Sequence, residues 1–454
     1  MSLPSDMQKY IGPIKLAPGV APGQIFIFMF VVVSALCINI FLPMMQVFVF
    51  TEILHVAKSE QGRLAGNLLT TQQLAALIFF GIAGSLADRL GRKKVLAVAI
   101  LGYAACLTAY PLAGGVLMLF ALQFLFGIMS TGNVAGTASM IADYPDNQSR
   151  GKFVALNLLV QAAVSGVLVG WVGARLPGWL VSSGVDTQLA GRYTFWTLAT
   201  LGVLAASVAW WFLENPPRVG KVVLPSTEGA SQSKILVENL RRVIAYGRKN
   251  PRFGLVMLMG FVIRSDYMVM LSFVSLWVVN SASALGVPTV EALKTAGLLL
   301  LTFKIATASS QLIFGFVADR VNRSAMLIAS LAMTGISLSS AIFISDVFGP
   351  GMYALVAFIG ATESALIVCG QAILGEEAPV ELRGSALGIF YFNGTLGVVV
   401  MSVIAGFLFD KMGYAAPFVM IGILNLFFAL WGLVLVLRRK RSDGEEAKSL
   451  PQVG

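Results

Sequence analysis

Charge is what this sequence has least of. Asp, Glu, Lys and Arg make up 12% of its 454 residues, while 57% are hydrophobic. An ordinary soluble domain carries about 25% charged residues, so the chain lacks the charge to coat two or three soluble domains. It is also too apolar for disorder, which needs low hydrophobicity and high charge. Histidine is almost missing. His55 is the single one, in a predicted loop, which excludes multi-histidine metal centres and leaves a Ser–His–Asp relay without a nucleophile motif beside it. The three cysteines, Cys37, Cys106 and Cys369, are odd in number and lie in apolar stretches. They read as buried packing residues rather than a disulfide framework. No GxxxxGK[ST] phosphate loop occurs, so ATP-driven chemistry is not expected. The formal charge of +10 comes without a basic face carrying base-stacking groups, so nucleic acid is not an expected partner. No cofactor and no metal are expected. Met1–Pro22 is mixed and polar, without the short apolar core and small-residue cleavage site of a signal peptide.

What is present is long apolar runs. Twelve of them, each roughly 20 residues or more, lie near 24–47, 64–87, 94–113, 115–141, 153–174, 194–213, 253–281, 293–317, 324–345, 351–374, 384–409 and 414–437. Each can cross a hydrocarbon core of about 30 Å as a helix, and a spanning segment must satisfy its own backbone. The expected class is an all-α membrane protein with twelve transmembrane helices. With both ends inside, 24 of the 32 Lys and Arg fall in inner segments, six fall in outer loops, and two, Arg264 and Lys304, fall within spans. That asymmetry sets the orientation by the positive-inside rule, with both termini cytoplasmic. The expected organisation is a tail over 1–23, a six-helix bundle over 24–213, a cytoplasmic linker over 214–252, a second six-helix bundle over 253–437 and a tail over 438–454. Within the linker, SKILVENLRRVIAYGRKN reads as an amphipathic helix on the inner membrane surface. Its Arg241, Arg242, Arg248 and Lys249 would meet anionic headgroups.

The chain also repeats itself. Gly84–Lys94 reads GSLADRLGRKK and Gly315–Ala325 reads GFVADRVNRSA. Asp143 precedes Arg150-Gly151 by the same spacing at which Glu376 precedes Arg383-Gly384. Each pair follows the equivalent helix of its half, the second and eighth, then the fourth and tenth. Two parallel six-helix repeats with a midplane site are a transporter architecture. On these motifs the sequence resembles the major facilitator superfamily. FLENPPR at Phe212–Arg218 and the Asp/Glu-six-Arg-Gly element resemble its sugar-porter branch. The resemblance covers nearly the whole chain and implies the twelve-helix fold of that family, with helices one, four, seven and ten lining a central cavity. It also implies a cytoplasmic gate made by Gly84, Asp88, Arg89, Gly91 and Arg92 with Asp143 and Arg150, and by Asp319 and Arg323 with Glu376 and Arg383. Gly84 and Gly91 suit a tight turn after helix two. Asp88 would meet the positive end of the eleventh helix, Arg92 would pair with Asp143, and Arg323 with Glu376. Two family features are missing. Gln123 stands where a buried arginine marks proton coupling in the fourth helix. In the fifth helix Trp171 replaces an expected proline beside Gly166, Gly170 and Gly173, glycines that read as close-packing sites.

Four ionisable residues stand near mid-membrane, Arg264 and Asp266 on helix seven, Lys304 on helix eight and Glu363 on helix ten. Each costs at least about 2.5–3.5 kcal/mol on insertion scales, which marks them as functional candidates. Arg264 and Lys304 are expected to receive an anionic substrate group. Glu363 or Asp266 is expected to carry a proton, with Glu363 preferred because Arg264 lies two residues from Asp266. A salt-bridge network that fixes helix packing is the competing reading of all four. Tyr267 could stack an aromatic substrate, and Asn39, Gln123 and Asn133 are the neutral contacts of the N-terminal half. The expected function is alternating-access transport of a small organic, anionic solute coupled to protons, by a monomer in the lipid bilayer of a cell inner membrane. Proton-driven efflux of amphipathic compounds is the alternative within transport, and a non-transporting receptor or scaffold the alternative outside it. An enzyme is not expected.

Overall fold

The structure is a computed structural model, and it describes residues 10–215, 232–318, 320–378 and 383–449. Twelve helices among these are long and apolar enough to cross a membrane. In order they are Pro22–Ile53, Lys58–Leu90, Arg92–Leu112, Val116–Ile141, Arg150–Ser182, Thr187–Trp211, Pro251–Ala284, Thr289–Phe314, Ser324–Phe343, Pro350–Gly370, Ser385–Met412 and Ala416–Leu437. They coincide with the twelve apolar runs, and we call them the first to twelfth spans. Apolar length alone fixes them, since each added residue contributes 1.5 Å of helix and one internally satisfied amide. Several start with proline at the first turn, as at Pro22 and Pro350, where its missing N–H costs nothing.

By contacts the chain forms two units. One is Met1–Ser226 with Leu271–Ala308, the other Thr227–Met270 with Ser309–Gly454. In the first, the third span packs along the fourth and the sixth, and the second along the fourth. In the second, the ninth span packs along the tenth and the twelfth. The third-span pattern therefore recurs six helices later, as the sequence repeat predicts. Small residues let these backbones approach. At Gly127 of the fourth span an added Cβ would lie 2.3 Å from the carbonyl of Gln72 in the second. The outer faces are apolar instead of polar, with Ile78, Ile82, Leu204, Ile313 and Ile423 all exposed, as lipid-facing surfaces require. The three cysteines are buried and unlinked.

The fifth span changes pitch midway. Gly166–Gly173 is π-helical, and this segment meets the eighth span. A Cβ on Gly170 would come within 2.7 Å of the Gly297 carbonyl, and one on Gly297 within 2.2 Å of the Gly170 carbonyl. The reading of these glycines as close-packing sites holds.

An element the sequence did not announce lies before the first span. Tyr10–Ile11 and Ile14–Lys15 pair as a short antiparallel ribbon, followed by a bridge between Leu16 and Pro145. Lys15 accepts from the Asp146 N–H at 2.9 Å and donates its own N–H to Ser149 Oγ at 3.0 Å. Ile14, Leu16, Ala17 and Val20 sit in a core with Phe28, Tyr144, Phe153 and Leu213. The tail is thus built into the loop between the fourth and fifth spans. Tyr144 closes this base, donating to the Glu214 carbonyl at 2.7 Å. Burial, and secondarily the charge of Glu214, raises its phenol well above the ordinary tyrosine value. A proton held in the folded state but lost by the unfolded chain makes stability fall with rising pH. The Tyr144 contribution is therefore complete below pH about 10, the ordinary value, and is lost above it. Tyr144→Phe should flatten the alkaline limb of a melting-temperature profile, and an unchanged limb would remove Tyr144 from that role.

The amphipathic helix is present as Gln232–Lys249. Val243 is buried and Tyr246 packs against the core of the second unit, while Arg241, Arg242, Arg248 and Lys249 are exposed. Ile244, an apolar residue of the same helix, is 47% exposed.

Candidate functional site

The polar groups of the first unit form two rungs. Asn39 and Gln46 are seven residues apart on the first span, and Tyr103 and Tyr110 are seven apart on the third. Asn39 Nδ2 donates to Tyr103 Oη at 3.4 Å, and Gln46 Nε2 to Tyr110 Oη at 2.8 Å. Asn133 of the fourth span also reaches Tyr103. Gln46 Nε2 donates again, to Gln123 Oε1 at 3.0 Å, and Gln123 Nε2 donates to Gln72 Oε1 at 2.7 Å. This amide chain links spans one, two, three and four. Gln123 is 1% exposed and engaged through both its oxygen and its nitrogen, whereas Asn39 and Asn133 are half-buried. The position that resembles a buried arginine site therefore holds a neutral hydrogen-bond relay. The two tyrosines were not foreseen, although their spacing matches that of Asn39 and Gln46.

The four mid-membrane charges are divided between the two units. Lys304 belongs to the first unit. Its Cβ lies 3.0 Å from the position a Cβ on Gly166 would take, it exerts an electrostatic influence on Cys37 of the first span, and its Nζ stands 5.9 Å from the Phe303 ring centroid. Arg264, Asp266 and Glu363 belong to the second unit. The stem of Arg264 runs against Gly394 of the eleventh span, 3.1 Å from a Cβ placed there, with Tyr391 of that span within electrostatic reach. Tyr267 is half-buried. Glu363 is 1% exposed, on the tenth span next to Thr362 and Ser364, both buried.

Asp266 stands two residues from Arg264, a spacing at which the two do not face each other on a helix. Its observed partner is Asn425 of the twelfth span, whose Nδ2 donates to Asp266 Oδ2 at 3.0 Å. Asn425 is a lone polar residue inside an apolar run, and the rarity of such residues in membranes is the signal that could have found it.

The motifs that follow the second, fourth, eighth and tenth spans are partly described. Gly91 forms a one-residue turn between the second and third spans at φ +94°, a conformation L residues rarely adopt. Gly84 lies inside the second-span helix with open space around it, so the turn does not require it. Asp88, Arg89 and Arg150 are exposed. Arg92 forms an ion pair with Asp143, as expected. Asp319 lies outside the described residues, as do the side chains of Arg323, Glu376 and Arg383 and residues 216–218 of the FLENPPR stretch. In the second unit the next residue, Glu377, pairs with Arg252 at 3.1 Å and accepts from Asn250 at 2.8 Å.

A family model described as Major Facilitator Superfamily matches residues 27–295 and 256–452. Magnetosome protein MamH of Paramagnetospirillum magneticum is 24% identical over 90% of the chain and 92% of its own length. Magnetosome protein MamZ of the same organism is 20% identical over 85% of the chain, which spans 59% of MamZ. A gallate transporter of Pseudomonas putida is 25% identical over 77% of the chain and 76% of its own. The crystal structure of a D-xylose-proton symporter superposes with a TM-score of 0.66 at 17% identity, over 90% of the chain and 95% of the symporter.

Proposed function

We propose a function from one premise: the chain belongs to the Major Facilitator Superfamily, and as a multi-pass membrane transporter it is not an enzyme. Within that family, the reading supported best is proton-coupled transport of a small organic solute bearing an anionic group, by alternating access. The single observation behind it is Arg264, a guanidinium near the middle of the seventh span. A cation at this depth is costly unless something uses it, and a planar fork matches a carboxylate. A relative named as a gallate transporter agrees with this choice, since gallate pairs a carboxylate with an aromatic ring. Tyr267, one turn from Arg264, would stack such a ring. Lys304 is the second candidate cation, Asn39 and Asn133 the neutral contacts. Gln123 acts through the amide chain that holds the first four spans in register.

Proton coupling is assigned to the buried carboxyls Asp266 and Glu363. The gate assignment for Gly84, Asp88, Arg89, Gly91, Arg92, Asp143 and Arg150, and for Asp319, Arg323, Glu376 and Arg383, is part of the same proposal. So are a monomeric state, the inner membrane and cytoplasmic termini. An even number of crossings returns the chain to its starting side, and the Lys and Arg asymmetry chooses the side.

A ligand panel tests the substrate class. Purified protein is heated with gallate, other aromatic acids, amino acids, sugars and cationic drugs, because a ligand that binds the folded state raises the melting temperature. Aromatic acids are expected to stabilise it. Stabilisation by cationic drugs alone would replace this reading with efflux.

A further inference from the structure

We infer that Asp266 and Asn425 form a proton-binding site in which Asp266 is a neutral acid hydrogen-bonded to the Asn425 carboxamide in both directions. The inference deepens the proposed proton coupling and rests on it for its role in transport, though not for its chemistry.

The argument is an accounting of buried atoms. Asp266 is 1% exposed and Asn425 is 0% exposed. The Asn425 amide nitrogen has two hydrogens and two acceptors, Asp266 Oδ2 at 3.0 Å and the Ile421 carbonyl at 3.1 Å. The Ile421 carbonyl can only accept, so it fixes which end of the amide is nitrogen. That leaves two oxygens, Asp266 Oδ1 and Asn425 Oδ1, both buried and without a hydrogen-bond partner among the described residues. Both can only accept while Asp266 is ionised. Two bare acceptors on groups already bonded to each other are costly in a dry interior. One proton on Asp266 Oδ1 answers both, by making Oδ1 a donor to Asn425 Oδ1. The acid and the amide then complement each other as a closed pair.

Among the described residues, Asp266 takes part in none of the ion pairs. Arg264 on the same helix is turned toward Gly394 and Tyr391 of the eleventh span. Ser265 spends its hydroxyl on the Phe261 carbonyl at 2.6 Å. The twelfth span contributes Asn425, a neutral group. Proton gain or loss at Asp266 therefore makes or breaks one contact between the seventh and twelfth spans without disturbing an ion pair. Asn425 is a positioning residue in this scheme, because it acts through the carboxyl it holds.

Infrared difference spectroscopy on the purified full chain reads the proton directly, through the carbonyl stretch of a protonated carboxyl. At neutral pH the wild type is expected to show one such band that is missing from Asp266→Asn. In Asn425→Leu the band should shift to higher frequency, since its carbonyl loses the amide donor. Wild type and Asp266→Asn with identical acid bands would overturn the inference, as would a band unmoved in Asn425→Leu. The second variant keeps the test decisive if Asp266→Asn does not fold. In proteoliposomes under an inward proton gradient, with gallate as the probe, Asp266→Asn should lose accumulation. Wild type that accumulates no gallate counts against the proposed function, while the infrared band still decides the proton site.

Discussion

Replacing Arg264 by glutamine should raise the KM for gallate uptake by at least about 30-fold. Removing one partner of a buried, hydrogen-bonded charge pair costs about 2–5 kcal/mol, and about 2 kcal/mol corresponds to that factor at room temperature. Glutamine preserves polarity and approximate length, so the loss reports charge and the fork geometry. Arg264→Lys should recover part of it, because an ammonium keeps the charge without the bidentate fit. The comparison that isolates the mechanism uses pyrogallol, which is gallate without its carboxylate. Wild type should prefer gallate, and Arg264→Gln should treat the two nearly alike. Equal gallate affinity in wild type and variant would remove Arg264 from the substrate site. It would then read as a packing residue against Gly394.

The second large effect is steric. Gly297→Val should lower the melting temperature in detergent and the yield of folded protein. A Cβ on Gly297 would stand 2.2 Å from both the Gly170 carbonyl and the Ala174 Cβ. The obstacle is partly backbone, which cannot swing aside, so the fifth and eighth spans must separate. Overpacking of this kind costs about 1–3 kcal/mol and occasionally more. Gly297→Ala should show the same direction with a smaller amplitude. Gly81→Ala is the matched control, since Gly81 lies in the second-span helix with open space beside it. That exchange should be neutral or stabilising by up to about 1 kcal/mol, because alanine favours helix more than glycine. If Gly297→Val melts like wild type, the seam between these spans is not closed as described. The same side chain would favour any transport state in which the two spans stand apart, which makes its effect on turnover informative beyond stability.

The distances that matter at the candidate site join residues far apart in the chain, and this explains what could be read in advance. Arg92 with Asp143 was legible because a recurrent motif named both partners. The twelve spans were legible because apolar length is local, and a bilayer of fixed thickness converts length directly into crossings. The repeat was legible as text, and the third-span packing pattern recurs with it. Asp266 was not legible as a partner of Asn425. A helical period tells which residues share a face, but the neighbour that covers that face is 159 residues away and is chosen by how the helices rotate and approach. Lys304 packs beside Gly166 of the fifth span and near the Phe303 ring of its own helix, and the first of these neighbours is likewise set by helix packing. The tail ribbon at Tyr10–Lys15 escaped because its strands are two residues each, too short for any periodic signal, and it gains its order from the loop it docks on.

By itself, then, the sequence determined the solvent, the number of crossings, the twofold repeat and the family, all of which follow from composition and short motifs read along one line. The tertiary structure alone decided which buried polar atoms meet. Hydrogen bonds between helices are made in the directions perpendicular to the chain, where close packing of small residues sets the partners, and nothing local to Asp266, Lys304 or Gln123 specifies them.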